Sequence, residues 1–440
     1  MMNRFRAPAM VAALMALSAC GIFKGGQKRT PTVGDRVPIL VAENGVETDP
    51  ALASVVVQVP PATSNDAWTQ PGGNADKSMG HLALAASPTR AWTAQVDGGS
   101  NRQRLAAPPV VAENKLFVVD VTATLHAFDA TTGQRLWSAP VSEGDENQAA
   151  RFGGGVSYDA GRVYATSGLG DVAAFNAADG AVAWRVKPGG PLRGAPTIAN
   201  DTVYVLSQDN QIFALNQPDG KVRWAQSGTL EQQGVFGVAA PACAQGTVVA
   251  GFSSGELNAN RYENGRVLWQ DALSRTTIST SVSSLADIDA SPVIQEGRVY
   301  ALGQGGRMVA LDLATGQRLW EQNVAGISTP WVAGDWLFVV TDDARLMAVS
   351  RATGRARWIS QLRRYRNEKK RSGAITWFGP VLAGNRLVLV NSEGEIAYAN
   401  VADGSIAATV EAGNSFGLSP IVANGTLYTL DERGQISAYR

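Results

Sequence analysis

Residues Ala310 to Trp320 read ALDLATGQRLW, and this stretch recurs along the chain. Ala127 to Trp137 is AFDATTGQRLW and Ala174 to Trp184 is AFNAADGAVAW. Ala214 to Trp224 is ALNQPDGKVRW, Ala259 to Trp269 is ANRYENGRVLW, and Ala348 to Trp358 is AVSRATGRARW. A further copy, Tyr398 to Ala408, keeps Gly404 and has lost its tryptophan. Each copy reads as a strand end, a tight turn and a new strand. An early Asp or Asn can hydrogen-bond the backbone two residues on, and Gly closes the turn with a positive φ. A ring as large as Trp at so regular a place predicts a wedge between neighbouring repeats.

A second mark runs in phase. Pro109, Pro196, Pro241, Pro292, Pro330 and Pro380 each stand 28 positions before the Trp site of their repeat, and Val156 takes that place in the second copy. Between the marks, period-two alternation is broken by Gly and Asn-Gly turns, which means antiparallel hairpins. Four short strands in a repeat of about 45 residues make a propeller blade.

The ends of the chain set the count. Pro420 opens one more repeat, but the chain stops at Arg440, before a Trp site. The missing outer strand is near the N-terminus, where Pro88 takes the Gly place and Trp92 the Trp place. The expectation is an all-β, eight-bladed propeller whose last blade takes three strands from the C-terminus and one from the N-terminus. Such closure removes open sheet edges. Trp92, Trp137, Trp184, Trp224, Trp269, Trp320 and Trp358 are its structural repeat residues.

The chain has 440 residues, a formal net charge of zero and 17% charged residues. That balance argues against nucleic-acid binding, which calls for a basic excess. Residues 1–19 read as a signal peptide: Arg4 and Arg6 precede an apolar stretch from Ala7 to Ala19 that is too short to span a bilayer. It ends Leu17-Ser18-Ala19-Cys20-Gly21, which resembles the bacterial lipobox. That resemblance implies lipidation of Cys20 and, with Gly21 rather than Asp next, an outer-membrane position facing the periplasm. Residues 20–80 read as a lipidated N-terminus and flexible tether, because their Pro, Gly and polar runs bury too little apolar surface to fold alone. Ser54 to Val59 is apolar enough to lie on the propeller. Residues 81–440 form the propeller. Cys243 reads as a small buried hydrophobe, and His126 occupies a repeat position that reads as structural.

The links between blades vary, and the two longest run from Trp269 to Pro292 and from Trp358 to Pro380. Loops on a rigid scaffold carry function. The first link holds Leu285, Asp287 and Asp289. Two carboxylates two apart on extended chain face one way, and like charges side by side do not help folding. Recognition of a basic partner surface and capping of a local turn both fit. The second link holds the basic run Arg363, Arg364, Arg366, Lys369, Lys370 and Arg371, followed by Trp377 and Phe378. A solvated loop and an interaction patch both fit there, and the neighbouring aromatics favour the patch.

The Ala-x-Asp-x-x-Thr-Gly-x-x-x-Trp repeat resembles that of quinoprotein alcohol dehydrogenases. Joined to a lipobox, this length and eight copies, it resembles the BamB family, lipoproteins of the β-barrel assembly machinery. The resemblance covers about residues 81 to 440 and the lipobox. It implies a non-catalytic scaffold, without cofactor or metal, that docks the periplasmic domains of a central barrel assembly protein. It also implies help for unfolded outer-membrane substrates, and a monomer within a complex anchored to the outer membrane through lipid. BamB proteins carry a similar acidic loop at this blade and use it against the central barrel protein. They also show a Leu-Arg-Gly turn before the fourth blade's proline. Here that place reads Val235-Phe236-Gly237, so Val235 and Phe236 stand there without the arginine. A quinoprotein dehydrogenase reading is disfavoured by the missing cysteine pair and the absent cofactor-covering insertions. A periplasmic propeller for another protein or peptide is the other alternative.

Overall fold

The computed structural model describes residues 46–100, 103–144, 150–229, 239–273 and 287–440. These form eight four-stranded antiparallel sheets, taken here as blades 1 to 8, and one small hairpin. A 3-10 turn at Pro50–Leu52 accompanies them, and no α-helix occurs among the described residues. Blades 1 to 7 are each continuous in sequence, from Val110–Pro140 in blade 1 to Trp377–Glu411 in blade 7. Blade 8 joins Ile421–Ala423, Thr426–Leu430 and Gln435–Tyr439 to the outer strand Arg90–Gln95. Trp92 pairs with Ala438 and Gln95 with Gln435. The blade count and the mode of closure read from the sequence hold.

The repeated tryptophans do what their spacing predicts. Trp269 lies against the turn of the next blade so closely that a Cβ placed on Gly316 would sit 2.5 Å from its Cγ, and Gly316 has φ +73°. The same approach joins Trp92 to Gly133 and Trp320 to Gly354. Each indole N–H then donates to a carbonyl of that turn, as Trp269 does to Leu313 (2.8 Å) and Trp320 to Arg351 (2.8 Å). Within the turn, the Asp312 carboxylate accepts from the Thr315 hydroxyl and amide. Those bonds, the hydroxyl's first, hold Asp312 below the usual carboxylate range.

The junction from blade 7 to blade 8 is built differently. Pro88 occupies the glycine place in blade 8, where a proline ring takes up the space an indole needs, and Ala408 stands at the Trp site of blade 7. Arginines replace the wedge. Arg386 stacks on the Tyr398 ring at 4.6 Å and donates to the Ala85 carbonyl (2.7 Å). Arg90 donates to the Ala412 carbonyl (2.9 Å).

Residues 46 to 80 do not hang free, which corrects the tether expectation for that part of residues 20–80. Val57, Trp68, Lys77 and Leu82 are buried. From Asn65 to Leu82 the chain makes one full circuit of the axis and bonds every blade in turn. Asn65 meets Val422 and Asn424 of blade 8, and Trp68 exchanges two backbone bonds with Val111 of blade 1. The Thr69 carbonyl accepts from Tyr158 of blade 2, and the Gln70 amide brackets Ile198 of blade 3. The Ala75 and Asp76 carbonyls accept from Cys243 of blade 4 and Ile294 of blade 5. Gly80 accepts from the Trp331 indole of blade 6, and Leu82 bonds Leu382 and Gly384 of blade 7. The inner strands are sheet edges with polar groups to satisfy. A segment poor in apolar residues suffices because it contributes backbone bonds rather than a core of its own. Ser54 to Val59 lies against blade 6 without forming a strand, with Val57 buried and the Val55 carbonyl accepting from Arg357.

Candidate docking face

The ring has two unlike faces. On one lie the first hairpin and the repeat turn of each blade, and the circuit from Asn65 to Leu82 bonds the inner strands just before those hairpins. On the other lie the turns between second and third strands and the links between blades. An axial cavity of about 1030 Å³ lies between them. Trp68 and Lys77 of the circuit line one end, and Ser328 and Phe416 of the links and Phe378 at the start of blade 7 line the other. Burial pushes the Lys77 ammonium down to about 7, and its Nζ donates to Thr197 Oγ1 (3.0 Å).

The acidic pair sits in the wall of this axis. Asp287 is 1% and Asp289 8% exposed, and Ile288 between them is packed under Gly251. Both carboxylates meet one guanidinium. Arg193, 2% exposed, places Nη2 at 2.7 Å from Asp287 Oδ1 and 3.4 Å from Asp289 Oδ1. Gln304 Nε2 donates to Asp289 Oδ2 (2.8 Å), and the Gln304 amide to the Asp287 carbonyl (2.9 Å). Burial first, then the charge of Asp287, pushes Asp289 up to about 7 against the pull of Arg193. The shared direction of the two side chains was read correctly. They face an internal cation instead of a partner surface, and among the described residues neither caps a local turn. Their geometry is that of a clasp fixing the end of the long link to blade 5.

Arg193 is the residue the sequence reading missed. It lies 94 positions from Asp287, and no local pattern couples the two. A signal was present: the chain does hold a Leu-Arg-Gly stretch, Leu192-Arg193-Gly194, just before Pro196 of blade 3. Val235, Phe236, Leu285 and Cys20 lie outside the described residues.

The basic run forms an ordered hairpin, Tyr365–Asn367 paired with Ser372–Ala374. Its base is neutralised. Arg363 grips Glu395 through both carboxylate oxygens at 3.0 Å, and Arg366 meets Glu393 at 2.6 Å. The Trp377 indole donates to the Arg363 carbonyl (2.9 Å), so this aromatic is a buried support rather than part of a patch. The tip is different. Lys369, Lys370 and Arg371 are exposed and have no ion pair among the described residues. Arg364 lies over the Tyr365 ring at 5.6 Å.

Other candidate chemistry is quiet. His126 bonds Asp120 (2.7 Å) and Ser138 (2.8 Å) inside blade 1. Burial pushes the Cys243 thiol up to about 12, as befits an unreactive core residue. Among the described residues, no three His, Cys, Asp or Glu side chains gather to hold a metal ion.

The chain was compared with known proteins. A family model described as outer membrane protein assembly factor BamB matches residues 53–148 and 124–360. The chain is 30% identical over 358 residues to the outer membrane protein assembly factor BamB of Yersinia pestis, covering 80% of this chain and 89% of that one. Its fold matches the crystal structure of BamB from Moraxella catarrhalis with a TM-score of 0.68 at 19% identity, over 80% of this chain and 99% of that one. The quinohemoprotein alcohol dehydrogenase of Comamonas testosteroni matches with a TM-score of 0.66 at 13% identity, over 88% and 83%. That last likeness carries the propeller fold and nothing more. On the family match and the identity to its relatives, the chain belongs to the BamB family of outer membrane protein assembly factors.

Proposed function

We propose that this protein is a non-catalytic scaffold of outer-membrane β-barrel assembly, held at the periplasmic face by lipid on Cys20. In this reading the face bearing the links docks the periplasmic domains of the central barrel assembly protein. The observation that carries it is the asymmetry of the ring. One face is crossed by the chain's own circuit, while the other presents a cavity and a rigid hairpin with an unneutralised basic tip. Rigid elements with exposed charge set on-rate and specificity at interfaces more than they set stability. The acidic pair enters as a clasp that shapes the face, and Leu285, Val235 and Phe236 remain candidate contacts on the links beside it.

Two experiments test the reading. Changing Lys369, Lys370 and Arg371 together to Glu is expected to leave thermal unfolding unchanged and to weaken co-purification of the barrel assembly protein from membranes. Unchanged co-purification would remove the hairpin from the interface. For the anchor, Cys20→Ala is expected to leave the protein unprocessed or soluble in the periplasm. A variant processed to the same mass and still in the outer membrane would exclude lipidation at that residue.

A further inference from the structure

The outer strands of the eight blades are not equally protected. An outer strand has one unpaired edge, a template for another extended chain, and proteins guard such edges with charge or cover. Seven of the eight here contain a tryptophan turned onto the next blade together with an Arg or Asp: Arg135, Arg185, Arg223, Asp271, Arg318, Arg357 and Arg90 in blades 1 to 6 and 8. Blade 6 is also covered. Thr48 makes a parallel bridge to Ala356, the Asp49 amide donates to the Ala356 carbonyl (2.8 Å), and Arg357 holds the Val55 carbonyl (2.6 Å). A segment of the chain thus already docks on one of its own outer strands, through one bridge ahead of the 3-10 turn.

Blade 7 lacks every one of these devices. Its outer strand, Ile406–Glu411, has no tryptophan, no arginine and no proline, and its single charge is at the last position. All six residues are exposed. A β-bulge at Ala407 breaks the alternation, so Ala408 and Val410 share one side of the pleat and Ile406, Thr409 and Glu411 the other. Beyond the bulge, Ala408 to Glu411 keep a continuous register, which is within the ordinary length of a strand pairing.

We propose that Ile406–Glu411 binds an extended segment of another polypeptide, uncharged and rich in β-branched residues, as a fifth strand of blade 7. Main-chain hydrogen bonds hold it, and Val410 on one side of the pleat and Ile406 and Thr409 on the other select small or β-branched side chains opposite them. This site lies on the rim and goes beyond the docking reading, which concerns the link-bearing face.

The test uses the full-length protein and a soluble labelled peptide of alternating threonine and valine with lysine at each end. Anisotropy titration is expected to show saturable binding. Thr409→Lys places a charge in the middle of the edge and is expected to weaken binding by about tenfold or more, with unfolding unchanged. Thr93→Lys, on the guarded outer strand of blade 8, is the control and is expected to change nothing. A peptide N-methylated at alternate residues is expected not to bind. The hairpin variant with Lys369, Lys370 and Arg371 changed to Glu is expected to bind the peptide normally, which separates this proposal from the docking reading. The proposal is overturned if the parent does not bind the peptide, or if Thr409→Lys binds it as the parent does. It is also overturned if sedimentation shows the parent self-associating through this strand, since the occupant is then a second copy of the chain.

Discussion

The two ends of the axial channel are closed by opposite strategies. At one end, eighteen consecutive residues from Asn65 to Leu82 spend their polar groups on the inner strands, blade by blade. At the other end the links between blades are held by a few side-chain pairs, the clasp of Arg193 on Asp287 and Asp289 between two links and the ion pairs of Arg363 and Arg366 within blade 7. The first end is joined to everything and the second is built in separate pieces. Change at the first should therefore be felt by the whole ring, and change at the second by a partner.

The sharpest break of that contrast is removal of residues 81 to 97. This takes away the end of the circuit and the outer strand of blade 8 together. Calorimetry is expected to show loss of a cooperative transition, with aggregation from the opened edge. A deletion protein that melts as sharply as the parent would mean the ring does not need this closure.

A single side chain should register nearly as strongly. Trp68 is 3% exposed and stacks on Trp331 with ring centroids 6.0 Å apart. Trp68→Ala is expected to cost about 3–5 kcal/mol in denaturant unfolding. Lys370→Ala, at the hairpin tip, is expected to stay within about 0.5 kcal/mol. Equal effects from the two would erase the distinction between the ends.

The clasp is the intermediate case, since it lies on the open face and yet is buried. Asp287→Ala removes the nearer carboxylate from Arg193, and breaking a buried pair costs about 3–5 kcal/mol. The double change of Asp287 and Asp289 to Arg, harmless if both were exposed, is instead expected to prevent folding of the link. The pair also carries a pH signature. Asp289 is pushed up to about 7 in the folded protein from an ordinary value of 3.8. Between those values the folded state holds a proton that the unfolded chain has lost, so its contribution to stability falls as pH rises through that window. Relative to Asp289→Asn, the parent is expected to lose melting temperature steadily from pH 4 to pH 7 and to level off above. Parallel curves would show that Asp289 stays ionised throughout.

Much of the fold was legible because it is periodic. A glycine and a tryptophan repeated in register report a local turn and its neighbour, and both lie within one repeat of each other. The closure was legible for the same reason, since Pro88 and Trp92 complete an interrupted period. The circuit was not. Its bonds run through backbone groups, which carry no residue signature, and its low apolar content looks like a tether. The clasp was half legible: the spacing of Asp287 and Asp289 gave their common direction, but the cation that buries them belongs to another blade. The change at blade 7 could be read from the missing tryptophan at Ala408, and its cause only once Pro88 was seen in the facing turn.

The central claim is that partners meet the link-bearing face and that the face crossed by the circuit is spent on the ring. Site-specific photocrosslinking in membranes tests it most directly. A photoreactive residue is placed at Lys370 or Arg433 on the open face, and at Asn114 or Asp201 in the first hairpins of the other face. Crosslinks to the central barrel assembly protein are expected from Lys370 and Arg433 and not from Asn114 or Asp201. Crosslinks from Asn114 or Asp201, with Lys370 and Arg433 silent, would contradict the account.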